Sequence, residues 1–339
     1  MDVNEHAAAA GCPFHAQRGT VARSSQGRVY KRPLGFLHNA EVRREIASLD
    51  AEQDCQRIAY LLANYEFPFD MLRANELALF HTYGSRSIAR LLDKTGEFAK
   101  RGQKRYDDTT LLILSFIETG WDSEQGQRSI AQINKIHGHF SIPNDDFLFV
   151  LWTFIDFPIQ WLNNYGWRKM TAHEQAAWFN FWVQIGIRMG LTDIPPTKAV
   201  FDRFVADYEQ RELVYAEANQ RVAQSTMQVL AAMVPAPLRF AVAPIAYSLV
   251  RPQLLPAIGA KPAAPWLQKS LHAVLKVRAR VKQVVSIEDY PVQLKDKKMP
   301  SYPDGHYTIE NLGPSYAHRD GATKAPSSAS GHAVGKAEA

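Results

Sequence analysis

Three polar side chains in the first half of the chain have the types and spacing of a cofactor site. Arg105 and Thr109 stand four residues apart, and His137 follows at the end of the next apolar pattern. Because residues i and i+4 share one face of a helix, the guanidinium and the hydroxyl would lie together beside Leu112 and Phe116. Guanidinium groups pair with carboxylates, and imidazoles bind metals. The pattern therefore predicts an apolar pocket with one metal ligand and two polar neighbours.

Each of these residues also has a purely structural interpretation. Arg105 could stand at the solvated start of a helix, beside Lys104 and Asp107, while Thr109 bonds to its own helix. His137 could be a core histidine whose hydrogen bonds are satisfied within the protein. Spacing alone favours these interpretations, since polar pairs at i and i+4 are common.

Most other metal and nucleotide sites lack their sequence patterns. Two cysteines, Cys12 and Cys55, cannot form a disulfide framework or a four-cysteine site. His139 would point roughly 160° away from His137 on a helix, so the two would not bind one ion together. No paired Glu-x-x-His motif, zincin helix, phosphate-binding glycine loop or Gly-x-Ser-x-Gly occurs. A lone histidine in an apolar helical pocket remains, and this environment suits haem iron.

Helix signals predict the elements that would position these residues. Ser123 can open the helix that ends near Gly138, and Pro143 precedes a long apolar segment that reaches Trp161. Thr171 with Glu174 forms a capping box, and Pro195-Pro196-Thr197 starts another helix. Sustained strand-type alternation is almost lacking. The sequence therefore predicts an all-α fold, a single large domain of roughly ten helices that encloses a pocket.

Composition divides the chain into three parts. Residues 1–27 and the end from about 320 lack helical or strand period and predict disordered tails. We expect the domain to span 28–290, followed by an extended, largely disordered C-terminal tail over 291–339. Prolines cut the apolar stretch 227–259 into short pieces; it could form a hydrophobic lid or a membrane-surface patch, although ordinary helical core is the simpler interpretation.

Charge and hydropathy limit the partners. The 339 residues carry 39 Lys and Arg against 34 Asp and Glu, spread along the chain, which argues against nucleic acid. No run of about 18 apolar residues predicts a membrane span, and the acidic N-terminus has no signal-peptide core. We expect a cytoplasmic protein, or one at the periphery of a membrane. The Cys12-Pro13 pair in the tail is interpreted as a chance occurrence.

Several motifs from Asn64 to Glu209 together resemble one family. They are Arg105-x-x-x-Thr109, Ile133-Asn134-Lys135-Ile136-His137, Ile142-x-Asn144-Asp145-Asp146, Pro158-Ile159-x-Trp161, Ile185-Gly186-x-x-Met189-Gly190-Leu191-x-x-Ile194-Pro195 and Tyr208-Glu209. In this order they resemble the MpaB and rubber-oxygenase (latex clearing protein) family. The resemblance covers nearly half of the chain.

The resemblance implies an all-helical fold around haem b. It implies that His137 is the proximal iron ligand and that Arg105 and Thr109 lie beside the haem, where they serve cofactor retention or activity. Some rubber oxygenases carry a lysine just before the threonine that closes the distal iron site. Asp108 stands there in this chain, so no lysine cap is expected, and the resemblance identifies no distal carboxylate base.

The resemblance implies an oxygenase that uses O₂ on an apolar unsaturated substrate, an isoprenoid-like or lipid-like small molecule or polymer, with oxidative C=C cleavage to carbonyl products. Arg105 is expected to pair with a haem propionate. Two alternatives stay open. One is a haem protein with a peroxidase-like or sensor role, and the other is a cofactor-free helical protein that binds lipids or partner proteins.

Overall fold

The computed structural model describes residues 27–286, 288–293, 298–314 and 316. In this described part there are thirteen α-helices and no strand beyond an isolated bridge between Met299 and Tyr302. The helices are α1 Ala40–Ser48, α2 Cys55–Leu61, α3 Pro68–Thr82, α4 Arg86–Thr95, α5 Glu97–Thr119, α6 Glu124–His137, α7 Asn144–Tyr165, α8 Ala172–Arg188, α9 Lys198–Glu212, α10 Glu217–Ala232, α11 Val242–Tyr247, α12 Leu254–Ala257 and α13 Pro265–Lys282. The all-α prediction is confirmed.

Side-chain caps set the helix starts where the sequence predicts them. Ser123 accepts a hydrogen bond from Gly126 N at the start of α6, and Thr197 accepts one from Val200 N at the start of α9. Thr171 and Glu174 form the reciprocal capping box of α8. Each cap satisfies backbone N–H groups that have no partner inside the helix. The predicted starts of these three helices are confirmed.

Helix α7 is the centre of the core. Fourteen of its 22 residues are buried, and α3, α8 and α9 pack around it. Pro158 lies inside α7 and has no N–H to donate to Phe154 O, four residues earlier. The indole Nε1 of Trp178 on α8 donates to Phe154 O instead, at 3.0 Å. The proline therefore frees a carbonyl that joins α7 to α8.

The proline-cut stretch 227–259 splits between surface and core. Its middle part is the 3₁₀ turn Ala236–Ala241 and α11, neither of which contains a buried residue. Its two ends bury Met227 on one side and Leu254, Leu255 and Ile258 on the other, in one cluster with Phe80 and Tyr83. The stretch is thus ordinary core at both ends and exposed between them.

The segment 299–314 has little regular structure but packs on α5 and α6. Ile309 and Leu312 are buried in a cluster with Leu111, Leu112 and Ile136. Gln132 Nε2 on α6 donates to Leu312 O at 2.7 Å. These residues belong to the stretch expected to be extended and largely disordered, and apolar contacts with α5 and α6 hold them in place. The tail 1–26, with Cys12 and Pro13, lies outside the described residues, as do 317–339.

Across the described part of the chain, no helix has the length and apolar character needed to cross a bilayer.

Candidate functional site

Helix α5 places Arg105 and Thr109 side by side, one turn apart. Arg105 Nη1 donates to Thr109 Oγ1 at 2.8 Å, and the same hydroxyl donates to Arg105 O at 2.8 Å. The local bond to the helix expected of Thr109 is therefore present, and the hydroxyl also holds the guanidinium. The Arg105 Cζ lies 5.9 Å from the centre of the Phe98 ring. Among the described residues, Arg105 forms no ion pair with a carboxylate.

His137 is the last residue of α6, the helix that Ser123 caps and that packs against α5. Its imidazole meets the ring of Phe147 on α7 at a centroid distance of 5.3 Å. Burial, assisted by the positive charge of Arg105, lowers the pKa of His137 to about 4. The imidazole is therefore neutral at pH 7, which is the form that binds a metal. Because α5 and α6 pack against each other, the fold places Arg105 and His137 on neighbouring helices.

One nitrogen of His137 is left without a partner. Nδ1 is buried and meets no hydrogen-bond donor or acceptor within the described part of the chain. An unsatisfied buried polar atom costs about 1–3 kcal/mol and calls for an ion, a water or a ligand. A metal centre that carries carboxylate groups could use both residues. Its metal would bind the neutral imidazole of His137, and a carboxylate group would pair with the guanidinium of Arg105. The chemistry of these residues fits haem b.

Protein side chains alone do not form a chelate in this region. Among the described residues, no three His, Cys, Asp or Glu side chains come together as metal ligands do. A cavity of about 160 Å³ lies between α4, α5 and α10, and Phe98 is part of its wall. Pockets that enclose drug-sized ligands have roughly 300–1,000 Å³. The cavity is therefore smaller than pockets of that kind.

Asp108 forms hydrogen bonds with the segment 299–314. It is 1% exposed and accepts hydrogen bonds from Lys104 Nζ at 2.7 Å, Tyr302 OH at 2.5 Å and Gly313 N at 2.9 Å. These contacts occupy both of its carboxylate oxygens. Asp108 is thus a structural anchor. Nothing in the local sequence indicated Tyr302 as its partner, because the two lie 194 positions apart.

The other candidate histidines have different surroundings. His139 is exposed, its Nδ1 lies 2.7 Å from Lys135 O, and its ring contacts Tyr316. His81 is fully buried, and its Nε2 lies 2.7 Å from Oε1 of Glu209. Burial lowers the pKa of His81 despite the nearby carboxylate, so a neutral ring donates its N–H to the charged Glu209. His81 shares with His137 a buried Nδ1 without a partner in the described part of the chain, but its Nε2 is already bonded to a carboxylate.

Two residues of the Asp145-Asp146 and Tyr208-Glu209 motifs form a buried polar network. Tyr208 OH donates to Asp146 Oδ1 at 2.6 Å and lies 2.8 Å from Ser85 Oγ, while Ser87 Oγ donates to Asp146 Oδ2 at 2.6 Å. The network joins α4, α7 and α9. Burial raises the pKa of Asp146, which these hydrogen bonds partly oppose. These motif residues hold helices together, and the sequence did not indicate that role.

Comparison with known proteins identifies a family. Residues 82–282 match the family described as ER-bound oxygenase mpaB/B'/Rubber oxygenase, catalytic domain. Two curated oxygenases of Penicillium brevicompactum, named ER-bound oxygenase mpaB' and mpaB, are each 30% identical to the chain over 205 residues. That match takes in 55% of the chain and 48% and 52% of the two relatives, so the chain matches about half the length of each. ER-bound oxygenase mpaB of Penicillium roqueforti is 29% identical over 205 residues, 55% of the chain and 69% of that protein. The matched region contains Arg105, Thr109 and His137 and ends before the segment 299–314.

Proposed function

Because this chain belongs to the family of mpaB and rubber oxygenases, we propose that it is an oxygenase that holds haem b through His137 and acts with O₂ on an apolar unsaturated molecule. The observation that carries the proposal is the state of His137. Its imidazole is largely covered by the protein, is neutral at pH 7 and has a buried Nδ1 without a partner in the described part of the chain. In a neutral imidazole one ring nitrogen keeps a lone pair, which a haem iron would bind.

Phe147 and Arg105 prepare His137 for this role. The ring of Phe147 packs 5.3 Å from the imidazole and restricts its orientation. Arg105 adds a positive charge that disfavours the imidazolium. The charge of Arg105 thus keeps the lone pair of the ring available, since a protonated imidazole cannot bind a metal.

Arg105 is proposed to bind a carboxylate of the cofactor. Its guanidinium has no acidic partner within the described residues, and the planar fork of arginine matches carboxylates better than any other cation. Thr109 accepts a hydrogen bond from Nη1 at 2.8 Å and so fixes the direction of the fork. Arg105 would therefore contact the carboxylate of the cofactor, and Thr109 is a positioning residue that orients Arg105.

Haem b, when bound, supplies the redox chemistry that activates O₂. The reaction proposed for the chain is oxidative cleavage of a C=C bond, in which one alkene and one O₂ give two carbonyl groups, so that atoms and electrons balance. The substrate class is an isoprenoid-like or lipid-like small molecule or polymer. The place of the protein in the cell is also a proposal, either cytoplasmic or at the periphery of a membrane.

Product analysis tests the proposed reaction. The haem-loaded protein is incubated with polyisoprene oligomers and with unsaturated fatty acids, under O₂ and under nitrogen, and aldehydes and ketones are trapped as hydrazones. We expect carbonyl products only under O₂. Turnover that needs peroxide and gives no carbonyl product would replace the oxygenase with a peroxidase-like enzyme. A purified protein that takes up no haem at all would indicate the cofactor-free helical protein.

A further inference from the structure

The segment from residue 218 to residue 287 has an unusual charge pattern. It contains no Asp or Glu, whereas it contains nine Lys and Arg. Four of these cations, Arg221, Arg251, Arg278 and Lys282, form ion pairs with acidic residues elsewhere in the chain. The other five are exposed and make no ion pair within the described residues; they are Arg239, Lys261, Lys269, Lys276 and Arg280.

Helix α13 carries three of these unpaired cations beside an exposed apolar stripe. Five apolar side chains of α13 and of the turn that follows it are more than half exposed: Trp266 at 70%, Val274 at 64%, Val277 at 55%, Val281 at 60% and Val284 at 64%. At 100° per residue these positions fall within an arc of about 80°. Lys269, Lys276 and Arg280 fall within about 40° along one edge of that arc.

The opposite face of α13 packs against the rest of the domain. Leu275 packs against the main core, Ala279 is buried, and Arg278 forms an ion pair with Asp70 at 2.9 Å. The helix is therefore held on the domain with its stripe turned outward. It contacts α11, and the turn just before α11 exposes Leu238 at 57% and Phe240 at 80%.

Helix stability in water does not explain this surface. Valine is a weaker helix former than alanine or lysine, and an exposed valine gains no burial in return. Lys276 and Arg280 stand at i and i+4, where two like charges repel each other. A surface that is apolar, basic and free of acidic residues is complementary to anionic headgroups above hydrocarbon, and an interfacial tryptophan is typical of such contacts.

We propose that this face, the α13 stripe with its basic edge, docks the protein on an anionic lipid bilayer. Trp266 and the valines would enter the interface, and Lys269, Lys276 and Arg280 would meet the headgroups. A second copy of the chain fits less well, because α13 offers no acidic residue to another copy's cations. α13 carries none of Arg105, Thr109 and His137, so the proposal does not depend on the proposed reaction.

Flotation of the full chain with lipid vesicles tests the proposal. Vesicles of phosphatidylcholine alone are compared with vesicles that also contain phosphatidylserine, at low and at high salt. We expect binding to the phosphatidylserine vesicles and its loss at high salt. Because each cation near an anionic surface contributes about fivefold, the triple change of Lys269, Lys276 and Arg280 to Gln should weaken binding roughly a hundredfold. The matched control is the triple change to Gln of the exposed residues Lys31, Lys94 and Lys169.

The apolar stripe is tested by a second set of variants. The triple variant Trp266→Ser, Val277→Ser and Val281→Ser should lose vesicle binding and keep its far-UV circular dichroism. The control changes three exposed apolar residues away from the stripe to Ser, namely Val29, Ile187 and Val214. Equal binding to both kinds of vesicle, or equal binding by both triple-serine variants, would overturn the proposal. A dimer in sedimentation that the stripe variant disrupts, with no vesicle binding by the unaltered chain, would also overturn it and assign the face to a second copy.

Discussion

Tyr302 donates a hydrogen bond from its hydroxyl to Oδ1 of Asp108 at 2.5 Å. Asp108 lies next to Thr109 on α5, so this bond joins the segment 299–314 to the helix that carries Arg105 and Thr109. Gly313 N reaches the other carboxylate oxygen at 2.9 Å, and Lys104 Nζ adds a charged donor to the same oxygen. One buried carboxylate thus anchors two points of the segment.

The change Asp108→Asn should destabilise the protein by about 2 kcal/mol, because charged hydrogen bonds to a buried acceptor are replaced by weaker ones. The measurement is equilibrium unfolding in urea. Asp304→Asn, an exposed position in the same segment, is the control and should leave stability within about 0.5 kcal/mol of the unaltered protein. If both variants unfold at the same urea concentration, Asp108 is not the anchor described here.

The parts of this structure that the sequence predicts are local. Ser123, Thr171 and Thr197 cap their helices through bonds to residues three positions away, and Arg105 meets Thr109 because a helix brings i and i+4 together. These contacts need no knowledge of the rest of the fold.

Contacts between distant residues could not be predicted in this way. Tyr302 is 194 positions from Asp108, and Glu209 is 128 positions from His81. Each of these bonds depends on how several helices pack, and helical periodicity shows which face is apolar but not which helix covers it. The neutral state of His137 could not be predicted from the sequence either, since it follows from burial and from a charge on a different helix.

Thr109→Val should weaken haem binding about fivefold while it keeps the shape of the side chain. Valine has no oxygen to accept the hydrogen bond of Arg105 Nη1, so the guanidinium loses one restraint of about 1 kcal/mol. The measurement is the equilibrium affinity for haem, obtained by competition with a haem protein of known affinity. Thr109→Ser keeps the hydroxyl and should bind haem as the unaltered protein does. An unchanged affinity in Thr109→Val would remove Thr109 from the cofactor site.

The haem-free protein should lose stability as the pH falls from about 6.5 to about 4, and His137 should account for part of that loss. The pKa of His137 is near 4 when folded and 6.5 when unfolded, so in this window only the unfolded chain takes up the proton. The contribution is fully present above pH 6.5 and declines towards pH 4, by at most about 3 kcal/mol.

The measurement for this prediction is urea unfolding at a series of pH values, for the unaltered protein and for His137→Phe. Other histidines whose pKa is lowered in the folded protein, such as His81 and His38, contribute equally to both proteins and cancel in the difference. The difference in stability between the two proteins should change across the window. A constant difference would mean that the imidazole of His137 is not buried in the haem-free protein.

His81→Leu should destabilise the protein without removing the proposed iron ligand. The change leaves Glu209 without the N–H that it accepts at 2.7 Å inside the core, at a cost of about 2–3 kcal/mol. Urea unfolding measures the loss, and His306→Leu at an exposed position is the control. The haem content per folded molecule should equal that of the unaltered protein. Loss of haem with unchanged stability would instead place His81 in the cofactor site.

The absorption spectrum of the purified protein beside those of His137→Ala and His139→Ala tests the assignment of the iron ligand most directly. Both histidines lie at the end of α6, but His139 is exposed and its Nδ1 lies 2.7 Å from Lys135 O, which makes it a matched control. We predict that the unaltered protein and His139→Ala show the same Soret band and one haem per chain. His137→Ala should lose the haem or show a changed spectrum, which imidazole added in excess restores. A His137→Ala protein with unaltered haem content and an unaltered spectrum would contradict the assignment of His137 as the ligand.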